Sequence, residues 1–83
     1  MADAIESQVI DIIARKRKID PSTVTLDSTF EQLGIDSLDA ADLLFAFEDT
    51  FGIVVPDPAA QSMKTVRQVV EGVRQLVSDR AGA

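Results

Sequence analysis

The 83-residue chain contains no cysteine and no histidine. The first absence excludes a disulfide framework and any thiolate metal site. The second removes the commonest general base, the imidazole metal ligands and every Ser-His or Cys-His nucleophile pair. A self-contained hydrolase or a zinc domain is therefore not expected, nor any metal site. Paired carboxylates remain, but a chain this short has little room to enclose a cleft around them. No apolar run reaches the ~20 residues of a membrane span. The N-terminus lacks a basic-plus-apolar signal pattern. The expectation is one cytoplasmic domain over 1–83, with no stable membrane insertion, no internal repeat and no linker.

Positive charge is also scarce, and unevenly so. Fourteen acidic residues face eight basic ones, for a net charge of −6. No basic residue lies between Lys18 and Lys64, an interval that holds Asp20, Asp27, Glu31, Asp36, Asp39, Asp42, Glu48, Asp49 and Asp57. Nucleic acid is a poor partner for such a surface, because phosphate contacts need Lys and Arg. Two readings remain for the acidic interval. It is a solvated surface, or it is a landing site for basic partner proteins, whose approach such a field would steer.

What is present is mostly helical period. Ile5, Val9, Ile12 and Ile13 share one face of a helix expected over 4–18, with Asp3 as N-cap. Arg15, Lys16, Arg17 and Lys18 crowd its last turn. There the helix dipole and solvent account for them, an anionic surface being the other reading. Residues 19–36 show no period. Their apolar residues Val24, Leu26, Phe30, Leu33 and Ile35 are single anchors, which describes a long loop pinned across a core. A second helix is expected over 37–51, with Asp36 as N-cap and Gly52 beyond its end. After an extended stretch at 53–57, a short helix is expected over 58–62. The last helix is expected over 66–79, opened by a Thr65-x-x-Gln68 capping box, with a frayed tail from Arg80 to Ala83. The fold class is all-α: a small four-helix bundle with three main helices, one short one and a long first loop.

The second helix has two apolar faces. Ala40, Leu43, Leu44, Ala46, Phe47 and Phe51 form a broad core face. Leu38, Ala41 and Phe45 fall on the opposite side, flanked by Asp42, Glu48 and Asp49. An apolar centre with a charged rim has the composition of an interface, although scattered surface apolar residues are also ordinary. Ser37 stands at the N-terminal end of this stripe. Read alone, it is a first-turn serine that caps or meets solvent. Its setting also favours an anion, since a helix N-terminus offers unpaired N–H groups and a positive dipole end.

Gly34-x-Asp36-Ser37-Leu38, then an acidic-apolar helix and Val55-Pro56-Asp57, resembles the acyl carrier proteins. The resemblance also takes in Phe30-x-x-Leu33-Gly34 and Thr65-Val66, and so covers nearly the whole chain. It implies a non-catalytic, monomeric phosphoprotein with 4′-phosphopantetheine, taken from coenzyme A, attached to Ser37 by a separate phosphopantetheinyl transferase. Asp36 would flank that site and serve transferase or metal-ion recognition. Acyl chains would ride as thioesters to acyl-transferring, ketosynthase-type or acyl-activating enzymes of fatty-acid, lipid or polyketide synthesis. Basic patches on those enzymes would meet Asp39, Asp42, Glu48 and Asp49, with Leu38, Ala41, Phe45 and Val54 as the apolar part of the docking face. Phe47, Leu44, Val55, Val70 and Val73 would line a shelter for the acyl chain, or simply fill the core. The alternatives are an aminoacyl or peptidyl carrier of the same fold, and an unmodified acidic helical adaptor. Thr50, Val54, Pro58 and Gln61 depart from the acids that fatty-acid-synthesis members carry, which points to a specialised carrier rather than a housekeeping one.

Overall fold

Apolar periodicity divides the chain into helices that must bury one stripe each. A computed structural model describes residues 4–81 and shows how they do so. The elements are α1 (Ala4–Arg17), a 3-10 turn (Pro21–Thr23), α2 (Ser37–Phe51), α3 (Asp57–Ser62) and α4 (Val66–Ala81). Asp3, expected as the first N-cap, lies outside the described residues, as do Gly82 and Ala83 of the expected tail. The stretch expected to fray is helical as far as Ala81. The short helix starts one residue earlier than its proline indicates, with Asp57 first and Pro58 second. Pro fits there because a first-turn N–H has no intrahelical acceptor to lose.

α1 packs against both α2 and α4, and α2 also meets α4. The core between them holds Val9 and Ile13 from α1, Leu43 and Phe47 from α2, and Val66, Val69, Val70 and Val73 from α4. Valine is a mediocre helix former. α4 therefore depends on this burial, about 1.5–3 kcal/mol for each fully covered side chain, more than on its own propensity. Val24, Ile35, Ile53, Val55 and Met63 close the ends of the core from the connections. No buried polar or charged residue occurs among the described residues.

The first loop is ordered by backbone pairing at long range. Phe30 N–H donates to the Lys64 carbonyl at 3.0 Å, Val66 N–H to Ser28 at 3.0 Å and Arg67 N–H to Leu26 at 3.0 Å. Arg67 adds an ion pair to Asp27 at 2.9 Å. The loop thus lies along the start of α4. Thr65 and Gln68 exchange side-chain and backbone hydrogen bonds there, at 3.0 and 3.2 Å. Thr29 and Gln32 repeat the same exchange inside the loop, both at 3.0 Å, and so begin a single helical turn.

That turn ends at Gly34, which sits at φ 72°. Gly34 N–H reaches the Glu31 carbonyl and Ile35 N–H reaches Phe30, at 3.1 and 2.8 Å, the pair of bonds that closes a helix end around a left-handed residue. α1 closes in the same way: Lys18 N–H reaches Arg15 and Ile19 N–H reaches Ala14. Here the left-handed position, φ 56°, is filled by Lys18. A side chain with a Cβ is disfavoured in that conformation by roughly 1–2 kcal/mol. Lys18→Gly is therefore expected to stabilise the fold by about 0.5–1 kcal/mol, or roughly 2–8 °C in melting temperature. Thermal melts followed by circular dichroism check this, and an unchanged or lower midpoint would show that Lys18 is not strained.

Candidate functional site: the N-terminal end and outer face of α2

The loop delivers Asp36 to the start of α2 in an extended conformation (φ −88°, ψ −174°). Its carboxylate accepts the Asp39 N–H at 2.9 Å, and its own carbonyl accepts the Ala40 N–H at 2.8 Å. Asp36 is thus committed to fixing the helix start. Ser37 is the first residue of the helix and is exposed. Its hydroxyl stands at the positive end of a 15-residue helix, where an attached phosphate diester would be favoured.

The flanking carboxylates would oppose such an anion, but one of them is already balanced. Arg17 of α1 lies 3.5 Å from Asp39, and Lys16 lies 3.9 Å from Asp39 and 3.0 Å from Asp42. The hydrogen bond to Asp42 raises the Lys16 pKa above its ordinary value, and the charges of Asp42 and Asp39 add to the effect. The basic turn of α1 thus does more than complement its own dipole; it reaches across to α2. Arg17 also donates to the Leu33 carbonyl at 3.0 Å, which ties the last turn of the loop to the same cluster. The arrangement fits a phosphate ester on Ser37: an accessible hydroxyl, a helix end, and neighbouring acids partly neutralised.

Along the outer face, Leu38 is 78% exposed, Phe45 67% and Val54 78%. Ala41 is also exposed, whereas Leu43 and Phe47 on the other side of the same helix are buried, at 2% and 1%. Val54 lies in the connection that follows α2, after Gly52 ends the helix at φ 65°. The acids occupy unlike positions. Asp42 leans to α1 through Lys16. Asp49 is exposed. Glu48 is half-buried and accepts the Val55 N–H at 2.7 Å, so it holds the returning connection in place.

Ala41, Leu44, Phe45, Glu48, Val55 and Ala60 border a groove of about 240 Å³ between α2 and α3. Of the five residues considered as a shelter for an acyl chain, Leu44 and Val55 line this groove, whereas Phe47, Val70 and Val73 belong to the filled core. Sequence reasoning missed Lys16 and Arg17 as parts of this region and the bond made by Glu48. Only contacts across the fold reveal them.

Comparison with known proteins matches most of the chain. The family model described as a phosphopantetheine attachment site matches residues 7–73. An acyl carrier protein of Rickettsia canadensis is 42% identical over 77 residues, which is 92% of this chain and 90% of that protein. One from Treponema denticola is 42% identical over 73 residues, 87% of this chain and 94% of that protein. The crystal structure of an acyl carrier protein from Thermotoga maritima superposes with a TM-score of 0.80 at 25% identity, covering 96% of this chain and 99% of that one.

Proposed function

The chain belongs to the acyl carrier protein family, and from that membership we propose that Ser37 is the residue to which 4′-phosphopantetheine is attached. The observation that carries this reading is an exposed serine at the first position of α2, inside the span matched by the attachment-site family. When attached, the group supplies the thiol that this cysteine-free chain lacks, and so the means to hold an acyl chain as a thioester.

The protein's own residues do the rest. Asp36 fixes the start of α2 and so the direction in which the Ser37 hydroxyl is offered to a phosphopantetheinyl transferase. Leu38, Ala41 and Phe45 present an apolar surface beside it, extended by Val54, with Asp39, Asp42, Glu48 and Asp49 around it. This face receives the transferase and the acyl-handling enzymes in turn. The groove beside Leu44 and Val55 gives the start of an acyl chain an apolar wall. The chain itself performs no catalysis. It works in the cytoplasm as a single domain, and Thr50, Val54, Pro58 and Gln61 fit it to a narrow set of partners.

Intact mass after incubation with coenzyme A and a promiscuous transferase tests the attachment. A gain of one phosphopantetheine supports it; an unchanged mass leaves an acidic helical adaptor. Docking has its own test. Phe45→Asp is expected to raise the transferase KM for the carrier about ten- to thirtyfold, the effect of losing one well-placed apolar anchor, with helical content unchanged. An unaltered KM would place the docking face elsewhere.

A further inference from the structure

The acids around the outer face of α2 differ in how much of their charge they offer to a visitor. Asp36 is spent on the Asp39 N–H, Glu48 on the Val55 N–H, and Asp39 and Asp42 on Lys16 and Arg17. The apolar members of the same face, Leu38, Phe45 and Val54, are each at least two-thirds exposed. On the side of α2 that faces α1, the charge of Asp39 and Asp42 is thus answered from within the molecule, while Asp49 stays exposed and the apolar surface has no such partner.

We propose that Lys16 and Arg17 act as a built-in charge mask on α2, so that this carrier selects partner enzymes offering an apolar socket for Phe45 and Leu38 rather than a dense basic patch. The inference rests on the reading of α2 as the docking face and specifies the chemistry of the surface that fits it. A partner cation aimed at Asp42 must displace Lys16, which already holds the carboxylate at 3.0 Å. It also meets the positive charge of Lys16 and Arg17 beside the target. An exchange of one exposed ion pair for another brings little net free energy. An apolar socket meets no such competitor, because it covers Phe45 and Leu38 and releases the water on them. Lys16 and Arg17 are thus positioning residues: they set what the face recognises without contacting Ser37.

The test compares the full chain with Lys16→Gln and Lys16→Arg as substrates of a promiscuous phosphopantetheinyl transferase. Coenzyme A is held saturating and sodium chloride is varied, so the effect of salt on the enzyme and on coenzyme A is common to all three proteins. Lys16→Gln unmasks Asp42. Its KM is expected to fall about two- to fivefold at low salt, the range of one exposed ion pair, and to rise more steeply with salt than the wild-type value, because exposed charges are screened. kcat is expected to stay put. Lys16→Arg keeps the pairing and should restore the wild-type slope, an outcome that a merely structural role for Lys16 would not produce. Circular dichroism confirms that each variant is folded.

If wild type and Lys16→Gln share one KM and one salt slope, the mask does not exist and the inference is overturned. If Phe45→Asp leaves KM unchanged at every salt concentration while modification proceeds, the docking face is elsewhere. If no protein gains mass, the carrier reading fails first, and this inference falls with it.

Discussion

Ser37→Ala is expected to abolish phosphopantetheine attachment completely while leaving fold and melting temperature nearly untouched. The first half follows from chemistry. Attachment replaces the hydroxyl hydrogen with a phosphoryl group, and alanine has no oxygen to accept it. The chain has no cysteine that could take over, and Ser37 supplies the only hydroxyl in the first turn of α2. The second half follows from the geometry. Ser37 is exposed, and the cap of α2 is made by Asp36, whose carboxylate holds the Asp39 N–H at 2.9 Å. Removing the Ser37 hydroxyl therefore costs no described hydrogen bond, and alanine is a good residue in a first helical turn. The change in stability should stay within about 0.5 kcal/mol. Asp36→Ala is the contrasting control. It keeps the nucleophile but loses the cap, at a cost of roughly 0.5–2 kcal/mol. Intact mass spectrometry after transferase treatment, beside thermal melts of the same samples, reads both halves. Residual modification of Ser37→Ala would show that another residue is the acceptor.

α2 shows how far local chemistry reaches. Its bounds follow from Asp36 before Ser37 and Gly52 after Phe51, because both ends are closed by residues within a few positions of the helix. The outer face follows from the wheel, since Leu38, Ala41 and Phe45 recur at a spacing that cannot share the buried side with Leu43 and Phe47. The first loop was legible only as a set of anchors. Its order comes from bonds to Lys64, Ser28 and Leu26 that join residues about forty positions apart, and such pairing leaves no period in the chain. One local signal was there to be read: Thr29-x-x-Gln32 has the same form as Thr65-x-x-Gln68 and makes the same bonds. The site divides in the same way. Ser37 and its cap are local and were visible. The pairing of Lys16 and Arg17 with Asp39 and Asp42 depends on the angle at which α1 meets α2, and a basic helix end reads the same whether it faces water or acids. Glu48 looked like one more docking acid because its bond to Val55 exists only after the chain has turned back at Gly52.

Phe47→Ala is expected to destabilise the domain by ~3–5 kcal/mol. Phe47 is 1% exposed, in the cluster where α1, α2 and α4 meet, together with Val9, Ile13, Leu43 and Val73. Truncation removes the transfer free energy of the ring and leaves a cavity between three helices whose valines are too short and stiff to fill it. A domain of this length has a total stability of roughly 4–12 kcal/mol, so the loss is a large fraction of the whole. The melting temperature should drop by at least about 12 °C. Phe45 provides an internal standard, being the same residue type two positions away on the same helix. At 67% exposure it has little buried surface to lose, and Phe45→Ala should cost less than about 0.5 kcal/mol. The two substitutions should also separate in function. Phe45→Ala should be folded and poorly recognised. Phe47→Ala should regain modification in proportion to its folded fraction as the temperature is lowered toward the maximum of the stability curve. Urea and thermal unfolding of both variants decide the matter. A loss below about 1 kcal/mol for Phe47→Ala, or similar losses for the two, would mean that the inner and outer faces of α2 have been assigned to the wrong sides.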